Sequence, residues 1–280
     1  MMKTISILNS KGGVGKSTIS VHLGHALALA GKRTLIVDTD MQDNIRIWFS
    51  SEQRRTTLFE VLMEGRRPGD AVVNVRERLD IISSGGDSLG AVPFLLNMGF
   101  LFSDLSGSDA TELKRILHKI GLQWLFDLKN TSPDVLKTSL DSFKNVYDYV
   151  LIDCSPSRTI LHTIVMVASD YIMVPVSMEW LSVVGSAQVG SAIAEVNEKY
   201  DISVDVGFVV PTFFDRRRNR VCQEVMADLA KMYGEKVTNE IRINGRLSEA
   251  PSWGKTVFDL KDRRGIEDFE ALAKRVMGVE

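Results

Sequence analysis

Two patterns of apolar residues alternate along this chain. Short unbroken apolar runs occupy residues 4–8 (TISIL), 34–38 (TLIVD), 79–83 (LDIIS), 149–153 (YVLID), 171–176 (YIMVPV) and 206–210 (VGFVV). A strand buried on both faces reads as such a run, because neither side of its pleat meets water. Between the runs, apolar residues return every three or four positions. The first such stretch places Ile19, Leu23, Ala26, Leu27 and Ala30 on one stripe, with Gly31 as its stop. Further helices are predicted at 110–120, 181–198, Asn219–Tyr233 and 267–277. Strands alternating with helices predict an α/β fold: a single doubly wound domain over residues 1–280, a mostly parallel twisted sheet covered by helices on both faces. The pattern is least readable over residues 85–139.

In such sheets ligands gather beyond the carboxyl ends of the strands. The first strand runs into NSKGGVGKST, residues 9–18. Backbone N–H groups of a glycine loop curl around phosphate oxygens, and the following helix adds its positive end. Gly12, Gly13 and Gly15 supply the backbone freedom, with Val14 among them. Lys16 is placed for the β- and γ-phosphates, Ser17 for Mg2+ and Thr18 for the α-phosphate. The usual phosphate-loop pattern opens on glycine, where Ser10 stands here. Two carboxylates complete the expected chemistry. Asp153 ends a strand where it can hold the water shell of Mg2+. In VDTDMQDN, Asp38 ends another, so that of Asp38 and Asp40 one can assist the metal while the other orients a water for in-line attack.

Composition narrows the alternatives. A net charge of −2 means that any contact with DNA or anionic lipid needs a local basic face. No apolar run approaches the roughly 20 residues of a membrane span, no signal-peptide shape is present, and a cytoplasmic protein is expected. Cys154 and Cys222 form no CxxC pair, and the four histidines have no metal-ligand spacing. An arginine cluster, Arg216, Arg217, Arg218 and Arg220, opens a predicted helix, and Arg246, Lys255, Lys261, Arg263 and Arg264 add charge later. These fit a phosphate-backbone stripe that binds DNA without regard to sequence. They also fit a solvated face with local ion pairs, for which Asp215, Glu224, Asp259 and Asp262 are at hand.

KGGVGKST, VDTDMQDN, YDYVLIDCSPS, VPVSMEWLSVVG and RLSEAPSWGK stand in the order and approximate spacing of the ParA/MinD group, the deviant Walker A P-loop ATPases. The chain resembles that group from Lys3 to about Val276, and RLSEAPSWGK resembles its ParA (Soj-like) branch. The resemblance implies ATP and Mg2+ as cofactors and an ATP-bound homodimer in which Lys11 crosses to the other subunit's nucleotide, with Gly12 where the backbones approach. It implies that Asp40 serves hydrolysis and that Pro211, Thr212, Phe213 and the loop of residues 242–247 hold the base. It further implies non-specific DNA as a ligand, a nucleoid location, and a ParB-like or other cargo adaptor that stimulates a slow ATPase. Met41 and Asp43 replace the group's proline and glycine, and Arg242-Ile243 displaces another proline. A MinD-like membrane regulator needs a C-terminal amphipathic helix, which EDFEALAKRVMGVE fits poorly. An iron–sulfur relative needs paired cysteines, which this chain lacks.

Overall fold

The computed structural model describes residues 1–52, 55–96, 107–119, 132–157, 159–215, 217 and 219–279. Arg216, Arg218, the apolar stretch Phe100 to Phe102 and Ile120 lie outside the described residues.

The predicted runs become strands, β1 (Lys3–Ile7), β2 (Thr34–Thr39), β4 (Leu79–Ile82), β5 (Tyr149–Cys154) and β6 (Tyr171–Ser177) within one residue of their expected ends, and β7 (Asp205–Phe214) four residues longer at its carboxyl end than expected. Two more were not anticipated. β3 (Val72–Arg76) is a half-buried edge strand, and β8 (Ile241–Arg242) is only two residues long. Together they form an eight-stranded sheet in the order β3-β4-β2-β5-β1-β6-β7-β8. Every pairing is parallel except β3 with β4, a hairpin at the edge.

The described helices include α1 (Lys16–Leu29), α2 (Asn44–Trp48), α3 (Leu58–Met63), α4 (Gly107–Lys119), α5 (Val135–Asp141), α6 (Ile160–Val167), α7 (Trp180–Tyr200), α8 (Asn219–Tyr233), α9 (Gly245–Glu249) and α10 (Arg263–Met277), with a single turn at Asp87–Gly90. They cover both faces of the sheet. One core holds Leu35, Val37, Val150, Ile152, Ile172 and Val174 under α3, α5, α6, α7 and α8. The other holds their strand neighbours Ile36, Leu151 and Met173 with Ile5 and Ile7, under α1 and α10. Alternate residues of each strand thus feed opposite cores, which is why these strands read as continuous apolar runs. The close seat of α1 depends on Gly24: a Cβ there would stand 2.8 Å from Ile36 Cδ1 on β2.

The terminal helix spends its apolar face on packing. Phe269, Leu272 and Val276 of α10 are buried against α1 and the sheet. No described helix is long and apolar enough to cross a membrane.

Candidate functional site

The strand order reverses direction around β1 and β5, and the loops beyond their carboxyl ends build the site. β1 leads into the glycine loop, and Asn9 braces that turn by donating to Pro175 O (2.7 Å) and accepting Lys11 N–H (2.9 Å). Gly13 and Gly15 take φ of 71° and 92°, a region where a side chain would be strained. Gly15 stands at the N-cap of α1, and no side chain caps that helix end. Its first amides are therefore open to an anion, and the helix dipole favours one.

Beside the loop is a cavity of about 510 Å3. Gly12, Gly13, Gly15, Lys16, Ser17 and Thr18 line one end, with Asp40 and Asn44 from the β2–α2 segment. Thr212, Phe213, Ile243, Leu247, Ser248 and Pro251 line the other. Of the expected base contacts, Thr212 and Phe213 are on the wall and Pro211 is buried and does not line it; in the phosphate loop, Val14 is likewise buried and off the wall. Thr212 Oγ1 donates to Val14 O (3.0 Å), which ties the base end to the phosphate loop. Phe213 holds φ of 56° without being glycine, a backbone cost concentrated at the cavity.

Lys16 is nearly buried, and its Nζ points into the loop at 3.2 Å from Lys11 O. Burial pushes its pKa down, while Asp153 pulls it up. Ser17 Oγ donates to Asp153 Oδ2 (2.7 Å), and Ser20 Oγ lies 2.8 Å from Asp153 Oδ1. Burial lifts the Asp153 carboxyl to about 6 even though the two hydroxyls and Lys16 pull it down. Asp38 faces it on the adjacent strand in register. Burial and then the Asp153 charge raise the Asp38 pKa well above the usual range. Both Asp38 oxygens accept backbone N–H groups, Asp40 N at 2.8 Å and Ile45 N at 3.0 Å, so Asp38 also shapes the loop after β2. Two desolvated carboxylates on neighbouring strands, with a hydroxyl bonded to one, form the hard-oxygen donor set that Mg2+ takes. The residues present fit that ion.

Lys11 behaves differently from Lys16. It does not line the cavity: its Nζ donates to Glu179 Oε2 (2.5 Å) and to Ser182 Oγ (2.8 Å) at the start of α7. The departures at residues 41–43 are compensated. Asp43 occupies the left-handed region at φ 51°, and its buried carboxylate accepts from Ser83 Oγ (2.8 Å) and Ser84 N (3.1 Å) and pairs with Arg46. Arg242, where the group has proline, binds Asp268 and Glu267 of α10.

Three observations now bear on kinship: the uncapped loop-to-helix junction, the facing strand-end carboxylates and the second lysine. The model of the CobQ/CobB/MinD/ParA nucleotide binding domain matches residues 5–257. The chain belongs to this family. Within the ParA/MinD family its relatives include the chromosome partitioning protein ParA of Caulobacter vibrioides, 33% identical over all of this chain and 95% of that protein. The sporulation initiation inhibitor protein Soj of Bacillus subtilis is 32% identical over 99% of this chain and 98% of its own. Among solved structures, the Cyanothece McdA–ATP complex superposes with a TM-score of 0.78 at 21% identity, covering 100% of this chain and 97% of that one.

Among the described residues, several of the basic side chains expected of a ParA-like chain are held in local ion pairs. Arg217 pairs with Asp215, Arg220 with Glu224 and Arg246 with Glu249. Arg217, Arg242 and Arg264 share a second cavity of about 370 Å3 that adjoins the first at Arg242 and Ile243. Lys255 is exposed and has no ion-pair partner among the described residues. The sequence offered no signal for Glu179, Ser182, Ser20 or Trp48, whose bonds to site elements span 133 to 207 positions.

Proposed function

We propose that this protein is an ATPase of the DNA-segregation kind, working as one domain in the cytoplasm. ATP with Mg2+ joins two chains face to face, the dimer binds DNA non-specifically, and hydrolysis releases it to move or position a cargo. The observation that carries this reading is the position of Lys11. Lys16 already lines the phosphate end of its own cavity, while Lys11 does not line that cavity and its ammonium is held by Glu179 and Ser182. An ammonium there can reach the terminal phosphate of a second chain, so ATP becomes the link between subunits. Lys11 must first leave Glu179 and Ser182, an exchange that the γ-phosphate charge favours.

Ser17, Asp153 and Asp38 would hold the Mg2+, which neutralises charge developing on the phosphates when bound. Asp40 has one oxygen occupied by Gln42 N–H (3.0 Å) and lines the cavity, in place to orient a water. Basal turnover is low, because no arginine among the described residues reaches into the phosphate end, and a ParB-like or other adaptor completes the site. Arg217, Arg220, Arg246 and Lys255, with Arg216 and Arg218, supply the DNA-facing charge, aligned from two chains in the dimer. The packed α10 leaves no apolar face for a MinD-like membrane contact.

The test is DNA co-sedimentation with ATP, with ADP and without nucleotide. Retention with ATP alone, falling steeply as salt rises, is expected. Equal retention in all three conditions contradicts the switch.

A further inference from the structure

Trp48 stands between the two sites on which the proposed function rests. It ends α2, the short helix whose first turn is tied to the nucleotide end: Asp38 Oδ2 accepts Ile45 N–H, and Asn44 lines the cavity beside Asp40. At the other end of α2, Trp48 Nε1 donates to the carbonyl oxygen of Lys255 at 2.9 Å. The indole is nearly buried, with the His22 ring of α1 set edge-on to it at 5.4 Å.

The segment it grips is otherwise stiff. Lys255 N donates to Ala250 O (3.1 Å), Gly254 sits at φ 62°, and Arg76 donates to Gly254 O (2.7 Å). Thr256 N is bonded to Asp259 (2.8 Å). The exposed ammonium of Lys255 is thus carried on a braced turn, and one of the braces comes from the loop that begins at Asp38. The same turn reaches the nucleotide cavity through Pro251. A displacement of the loop of residues 40–45 therefore reaches Lys255 through one five-residue helix and one hydrogen bond.

We propose that Trp48 is a positioning residue that ties the presentation of Lys255 to the nucleotide-contacting loop, so that the DNA phosphate contact strengthens only when that loop is set by ATP. This rests on the reading that the protein binds DNA in its ATP state. The linkage is reciprocal: whatever free energy ATP lends to DNA binding through this path, DNA returns to ATP binding.

The test compares wild type, Trp48→Phe, Lys255→Ala and the double variant. Phenylalanine keeps a ring against His22 and removes the Nε1 donor. Affinity for a labelled random-sequence DNA duplex is read by anisotropy, with and without a non-hydrolysable ATP analogue. Trp48→Phe is expected to cut the analogue-dependent gain in DNA affinity by roughly 3- to 10-fold, the worth of one hydrogen bond, with analogue affinity unchanged in the absence of DNA. It should add nothing once Lys255 is alanine. Amide exchange of residues 250–257 in the full chain is the second readout. Protection there should change on adding the analogue in wild type and not in Trp48→Phe, while protection across β1, β5 and β6 stays as in wild type and reports an intact fold. An unchanged gain, or effects of the two substitutions that simply multiply, overturns the coupling. If wild type fails to bind DNA while the exchange response still depends on Trp48, the coupling stands and the DNA reading falls. If DNA binds and the exchange response is indifferent to Trp48, the coupling falls and the DNA reading stands.

Discussion

Lys16 and Lys11 are five positions apart and meet different surroundings. Lys16 is enclosed by the loop, where burial lowers its pKa and the Asp153 charge works in the opposite direction. Lys16→Ala should lower nucleotide affinity more than 10-fold, read by titration with a fluorescent ATP analogue, since a charge-assisted contact in a desolvated cavity is lost. Asp40→Ala should leave that affinity near wild type and slow turnover by roughly 100-fold, the range of a lost water-orienting base. Unchanged turnover removes Asp40 from the chemistry. His22 supplies a test by pH. Its Nδ1 faces Thr18 O at 2.8 Å and so carries the proton, its Nε2 is buried without a hydrogen-bond partner among the described residues, and burial lowers its pKa from 6.5 to about 4. Above pH 6.5 the ring is neutral folded or unfolded. As pH falls from 6.5 towards 4, the unfolded chain takes up a proton that the folded chain refuses, so stability falls across that window. The loss is about 2 kcal/mol by pH 5. His22→Phe keeps a ring stacked on Phe269, so its melting temperature should decline less than that of wild type between pH 7 and pH 5.

At the scale of elements, α1 joins the phosphate loop to the core, and its position is set by Gly24. Gly24→Val forces a methyl-bearing carbon into Ile36 and Leu79 and should cost about 1–3 kcal/mol, read by denaturant unfolding. The parallel strands were legible because both their faces are buried, and α8 because its apolar spacing runs without interruption. β3 and β8 were not: one is an edge strand with no fully buried residue, and the other is too short to show a period. The first turn of α10 was missed because its charged start, RRGI, carries no apolar stripe. Its start is set instead by the Asp262 side chain, which accepts Gly265 N–H at 2.7 Å. The phosphate end of the site was legible for the opposite reason. Loop, lysine and hydroxyl are consecutive, so their geometry follows from one local turn. The base end was read less well, since Leu247, Ser248 and Pro251 meet Thr212 and Phe213 only through the fold. The replaced residues of the loop after β2 show the same limit. That Asp43 pays for its left-handed backbone with bonds to Ser83 and Ser84 depends on β4, some 40 positions away.

At the scale of the whole molecule, one chain carries a complete cavity for a nucleotide and a second lysine with no use for it. Lys11 instead rests on Glu179 at the lip of α7, beside the exposed Trp180 and Leu181. A surface of this kind, apolar beside a displaceable ion pair and next to a nucleotide cavity, suits burial between two copies. Arg217, Arg220 and Arg246 are paired with Asp215, Glu224 and Glu249, and Lys255 has no ion-pair partner among the described residues, so the proposed DNA contact draws on the aligned charges of two chains. In the proposed function, dimerisation is thus the step on which DNA binding, release and cargo movement depend. It is tested most directly by sedimentation of the purified chain with a non-hydrolysable ATP analogue and Mg2+, with ADP, and as Lys11→Ala with the analogue. A mass twice the 31.2 kDa of one chain is expected for wild type with the analogue, and the single-chain mass in the other two cases although Lys11→Ala still binds nucleotide. A Lys11→Ala protein that doubles its mass as readily as wild type would contradict the proposal.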